Sequence, residues 1–237
     1  MNRARSLVTV GDPGRLAAAG LAAVVVTIQA GLWLSGGATA LPDIYRRFGL
    51  SRDGLEEGKI WQLESYALLH GGWVHTLTNI LGLVFLVPQV QRILGSRLVA
   101  AGLMGGVLAG GVAHVMVSRH EVLVGISGGL SSLMLLLTTL APEARVRGLR
   151  ISAGNLGRGF LIASAALMMI SPQTGIPGLE RVGRWMDERG GSSVFQIAHA
   201  CHLGGGVFGW MLARWILRPR ADLKKLRAAR ARREGGP

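Results

Sequence analysis

Ser127 lies in Val124-Gly-Ile-Ser-Gly-Gly-Leu130, where glycines at 125, 128 and 129 surround one hydroxyl at the mouth of an apolar run that continues to Leu140. Glycine admits left-handed dihedrals and close backbone approach, so such a junction can present a serine Oγ and bare amides to a substrate. Acyl transfer needs that combination. A lone Gly-x-Ser-Gly is also a common packing surface of membrane helices, so the assignment depends on partners elsewhere in the chain.

Two further polar clusters interrupt apolar stretches, where polar groups are costly and therefore informative. One reads His70-Gly-Gly-Trp-Val-His75-Thr-Leu-Thr-Asn79, with His75 and Asn79 four residues apart on one helical face. The other reads His199-Ala-Cys-His202-Leu-Gly-Gly-Gly-Val-Phe-Gly209, in which Gly205 and Gly209 form a small-xxx-small face beside His202. Should that face pack on Gly128, Ser131 and Ser132, His202 meets Ser127. The imidazole can then take the hydroxyl proton and return it to a leaving amine. His75, Asn79 and the Ser127 N–H would supply oxyanion donors, each contributing about 3–4 kcal/mol in a water-poor site. No acid falls inside an expected span, so the set is a dyad.

Composition says where these groups must work. Hydrophobic residues make up 49% of the 237, charged residues only 16%, and mean hydropathy is +0.39. A soluble domain of this size carries more charge. The chain is expected to be all-α and polytopic, with six spans near Leu16–Gly36, Leu69–Gln89, Leu98–Val117, Ser127–Ala141, Gly159–Ser171 and Val194–Leu217. The fourth and fifth are short, which a bundle tolerates if protein covers the loop end. Residues 1–15 form an amino-terminal segment, 16–217 the membrane domain and 218–237 a basic tail. Within the domain, 37–68 is a long first connection, in which Leu41, Ile44, Tyr45 and Phe48 lie at the spacing of an interfacial helix. Gly54 and Gly58 mark turns after it.

The net charge of +13 clusters at segment ends: eighteen of the 26 Lys and Arg fall at the amino end, on two alternate connections and in the tail. The positive-inside rule then puts both termini in the cytoplasm and the Ser127 end on the outer side. Anionic lipid accounts for the tail, and nucleic acid is not an expected partner, since no aromatic residue follows Trp215. Ala38-Thr39-Ala40 imitates a signal-peptide cleavage site, but the preceding apolar run is long enough to be a retained anchor. The lone Cys201 builds no disulfide and reads as a small apolar residue. His114 and His120 belong to the outer end of the third span, as partners of headgroups or loop carbonyls. With no acidic residue in the expected spans and no thiol cluster, the ligand set is thin, and neither a metal nor another cofactor is expected.

Taken in order, His70-x4-His75-x3-Asn79, Gly125-Ile126-Ser127-Gly128 and His202-x2-Gly205-x3-Gly209 resemble the rhomboid family of intramembrane serine proteases. Gly58-Lys-Ile-Trp61-Gln62-Leu63 resembles its loop before the second helix, and Leu94-Gly95-Ser96 the turn after that helix. The resemblance runs from about Gly58 to Trp210. It implies a six-helix rhomboid-like bundle with a water-accessible cavity, Ser127 as nucleophile and His202 as base. His75, Asn79 and Ser127 would form the oxyanion site, with His70, Gly125, Gly128, Gly205 and Gly209 supporting. It implies transmembrane substrates cut near the outer surface, by a multi-pass protein of the bacterial inner membrane. Oligomeric state is open. Gln62 replaces a family arginine, which questions loop anchoring. Ser131 stands where some members stack an aromatic on the base, which leaves His202 less firmly oriented. A catalytically silent adaptor for transmembrane clients is the alternative; a transporter would need polar residues along a continuous path.

Overall fold

The computed structural model describes residues 12–118, 121–145, 150–191, 198–218, 227 and 230–232. The expectations for His120, for the last span before residue 198 and for most of the basic tail fall outside these residues. Helices dominate, and the strand-like pairing among the described residues is confined to the isolated bridges Leu50 with Leu123 and Arg145 with Ser152.

Helix α1 is Pro13–Leu34, α2 Trp73–Leu94, α3 Ser96–Val117, α4 Ser127–Leu140, α5 Ala153–Ile170 and α6 His199–Ile216. Among the described residues, α1, α2, α3 and α5 are long and apolar enough to cross a membrane, and α4 is a shorter apolar helix. Helix α6 has 18 residues but carries His199, His202 and Arg214, and falls outside that apolar class.

Three boundaries differ from expectation. Helix α2 begins at Trp73, so His70 precedes the helix instead of opening it; the Gly71-Gly72 pair ends the preceding loop. The same helix runs on through Pro88 to Leu94. Helix α5 is not short: Ser152 caps it by accepting from the Asn155 N–H, and it takes in Arg158, which the span expected from Gly159 had left outside. Gly54, expected in a turn, lies inside the short helix Arg52–Glu56.

Helix α6 packs most extensively on α4 and α3, α3 and α4 pack on each other, and α1 lies against α2. Glycine permits the α4–α6 approach. A Cβ on Gly205 would stand 2.1 Å from the Gly128 carbonyl oxygen, and one on Gly209 2.0 Å from that of Ser132. Leu83 and Val87 of α2, Leu133 and Leu136 of α4, and Ala213 of α6 are fully enclosed. Large apolar side chains such as Val74, Phe85, Ile162 and Met211 point outward, as in a bundle whose solvent is hydrocarbon.

The first connection contains the expected helix, Pro42–Phe48, and braces itself. Trp61 donates from Nε1 to the Arg47 carbonyl (2.9 Å), and Ser65 Oγ to that of Phe48 (2.7 Å). Gln62 is completely buried; its Nε2 donates to the Arg46 carbonyl (2.9 Å) and its Oε1 accepts from the Ser51 N–H (3.2 Å). The neutral amide therefore does the anchoring that its replacement of arginine had put in question. Arg52 Nε donates to the Val115 carbonyl (2.9 Å), and Tyr45 Oη to that of His70 (2.9 Å), which ties the connection to α3 and to the entry of α2.

Candidate active site

Ser127 is the first residue of α4, and the opening N–H groups of a helix have no partner inside it. The stretch before it is fixed from one side. Leu123 exchanges both main-chain hydrogen bonds with Leu50 (3.0 and 2.8 Å), and the Gly125 N–H donates to the Tyr66 carbonyl (2.9 Å). Gly125 has φ +107°, and a Cβ there would stand 2.7 Å from Nε2 of His75. Only glycine allows the backbone both that turn and that approach.

His202, on the first turn of α6, places Nε2 2.8 Å from Ser127 Oγ, so residues 75 apart in sequence share a hydrogen bond. The close α4–α6 crossing at Gly128–Gly205 makes this possible. Of the expected small face, Gly128 and Ser132 meet the glycines. Ser131 does not: it donates to the Ser127 carbonyl (2.8 Å) and lines the cavity. Its lack of a ring does not leave His202 without aromatic neighbours. Phe160 of α5 lies 6.2 Å away, centroid to centroid, tilted by 35°, and His199 meets the ring edge-on at 6.5 Å. Nothing in the sequence distinguished Phe160 from other apolar residues of α5.

His75 and Asn79 border the same space on α2. His75 Nδ1 faces the Gly71 N–H at 3.5 Å, which leaves Nε2 to carry the proton of the neutral ring, directed at Gly125. Asn79 Nδ2 donates one hydrogen to the His75 carbonyl (2.9 Å), and a Cβ on Gly125 would lie 3.9 Å from the same nitrogen. His70 is buried against His75, rings edge-on at 5.0 Å.

Behind Ser127 the wall is closely packed. Tyr66, fully buried, donates to the Val107 carbonyl (2.7 Å) and lies 3.8 Å from the sulfur of Cys201, which in turn fills the space beside Gly128 and Gly110. In front, a cavity of about 1170 Å³ opens between α2, α4 and α5, with Trp73, Asn79, Ser127, Met134, Phe160 and His202 among its walls. His114 Nε2 reaches a loop carbonyl, that of Glu121, at 3.3 Å.

These features define a multi-pass helical membrane protein with a hydrogen-bonded serine and histidine facing a largely apolar cavity. Residues 57–219 match the family model described as "Rhomboid domain", and the chain belongs to the rhomboid family of intramembrane proteases. No curated protein matches the chain.

Proposed function

We propose that this protein is an intramembrane serine endopeptidase that hydrolyses peptide bonds in membrane-spanning partners through Ser127 and His202. The observation that carries the reading is the 2.8 Å contact between Ser127 Oγ and His202 Nε2 at the wall of an open cavity. As Oγ attacks the scissile carbonyl, its proton passes to Nε2 and then to the leaving amine. Water repeats the sequence on the ester. The negative charge on the carbonyl oxygen falls among the Ser127 N–H, His75 Nε2–H and the remaining Asn79 N–H, donors fixed in place before the substrate arrives.

A substrate must offer an extended segment, because a helical carbonyl is already engaged by its own turn. The cavity supports such a segment. With Leu123 and Gly125 bonded to the first connection, the main-chain groups of Val122 and Val124 have no backbone partner among the described residues, and both residues line the cavity. An unwound chain can add there as a strand. Small residues at the cut and a nearby Gly or Pro would favour unwinding.

The 14 residues of α4 span about 21 Å, short of the roughly 30 Å hydrocarbon core. Ser127 would therefore lie below the surface while open to outer water. Six spans are the reading of the apolar stretches, cytoplasmic termini with the Ser127 end outward that of the charge distribution, and cleavage near the outer face what the family resemblance implies.

The test is labelling of the full-length protein with a fluorophosphonate probe, together with cleavage of a tagged single-span protein in liposomes. Wild type should label and cleave, and Ser127→Ala should do neither. His202→Ala should lose at least about 10²-fold in rate, the usual contribution of a general base. Labelling that survives Ser127→Ala would refute the reading, and client binding without labelling of the wild type would favour the adaptor.

A further inference from the structure

Beside the catalytic cavity lies a second, much smaller pocket of about 20 Å³. It shares His114, Glu121 and Ala198 with the larger one, and its remaining polar walls include Ser118, Ser171, Gln173 and His199 beside apolar Val117 and Met168. Glu121 is the one formally charged side chain on either wall among the described residues. Its carboxylate is held by the Gln173 side-chain amide and lies 3.5 Å from Ser118 Oγ, while Ser171 Oγ sits 3.2 Å from Gln173 Oε1. Of about four lone-pair positions on a carboxylate, these contacts occupy two.

Resting on the protease reading, we infer that this pocket is a specificity subsite that receives the ammonium group of a substrate lysine close to the cut. A volume of 20 Å³ admits a water-sized group and little more. An ammonium is that size, carries three hydrogens and finds a carboxylate and hydroxyl oxygens there. The planar guanidinium of arginine is too large. The pocket also lies within reach. It adjoins the catalytic cavity through the shared residues His114, Glu121 and Ala198, and His199 on its wall lies one turn before His202 on α6, with the rings 6.5 Å apart. A lysine on a segment laid along Val122 and Val124 thus brings its charge to Glu121 while the backbone stays by Ser127. Among the described residues the rest of the cavity wall carries no other carboxylate, so Glu121 is the one ion-pair partner it offers a cation.

The experiment measures binding, so that it does not depend on turnover. Fluorescent single-span peptides with a Gly-Ala-Ser-Gly outer segment carry lysine, norleucine, arginine or glutamate at successive positions, and are titrated onto full-length Ser127→Ala protein in nanodiscs. At one position lysine should bind about tenfold tighter than norleucine or arginine. Adding Glu121→Gln should abolish that ratio, and Glu121→Lys should shift preference to glutamate. Equal affinity for lysine and norleucine at every position, or a lysine preference that survives Glu121→Gln, overturns the proposal. The first comparison needs no change at Glu121, so a variant that fails to fold leaves the proposal open to refutation. Failure of the protease reading itself would appear separately, as Ser127-independent fluorophosphonate labelling.

Discussion

A hydrogen bond between a serine and a histidine is chemically useful only if charge developing elsewhere is also met, and here His75 and Gly125 decide that. His75→Ala removes a fixed donor and should lower kcat by about 10²–10³-fold. The fluorophosphonate labelling rate should fall in parallel while circular dichroism stays unchanged. Gly125→Ala should be as damaging by a different route, because the methyl would enter the His75 ring at a backbone angle that L-residues avoid. Unlike His75→Ala, it should also lower thermal stability. Glu121 gives a pH signature. Burial raises its carboxyl above the ordinary 4.5, and the Ser118 hydroxyl offsets this in part. The lysine preference should be complete well above that raised value and disappear as pH falls through it. Protonation of His114 or His199, the other titratable groups on the pocket wall, would weaken it in the same direction. The affinity ratio of lysine to norleucine peptides, followed with pH on Ser127→Ala protein, checks the sign.

Among the elements, the α4–α6 crossing sets the site, and its tolerance can be stated residue by residue. Gly209→Ala drives a methyl onto the Ser132 carbonyl. Separating the helices enough to accept it should cost about 1–3 kcal/mol and pull His202 from Ser127. Gly159→Ala on α5 meets no atom within 4 Å and should be neutral or stabilising by up to about 1 kcal/mol. Unfolding in mixed micelles compares the two, and equal stability of both variants would contradict a close α4–α6 crossing at Gly209. This crossing was legible in the sequence because small residues four apart beside a polar residue have few other uses in an apolar helix. Helix ends were less legible. Arg158 looked like a border, yet a long cationic side chain can extend away from the helix it belongs to. The Gly71-Gly72 pair could equally have been read as inside α2 or before it.

At the level of the whole molecule, what could be read from sequence was whatever violates the hydrocarbon rule. Ser127, His75, Asn79 and His202 are polar within apolar runs, and their order along the chain carried the family resemblance. Phe160, the Tyr66–Cys201 wall and the Glu121–Gln173 pocket conform locally to their surroundings. They acquire meaning only when segments as far apart as positions 66 and 201 or 121 and 173 meet, which no periodicity records. Orientation stands between these cases, since charge asymmetry is written in the sequence while the membrane is not part of the fold. The single native thiol, Cys201, is fully buried and so silent to bulky reagents. Glu57→Cys in the first connection and Glu143→Cys after α4 both replace exposed side chains and can report the two sides. With basic residues held inside, an impermeant maleimide should label Glu57→Cys in intact expressing cells and Glu143→Cys only after permeabilisation. The reverse pattern would place the cavity mouth on the cytoplasmic side, and substrates would then have to present their cut sites from within the cell.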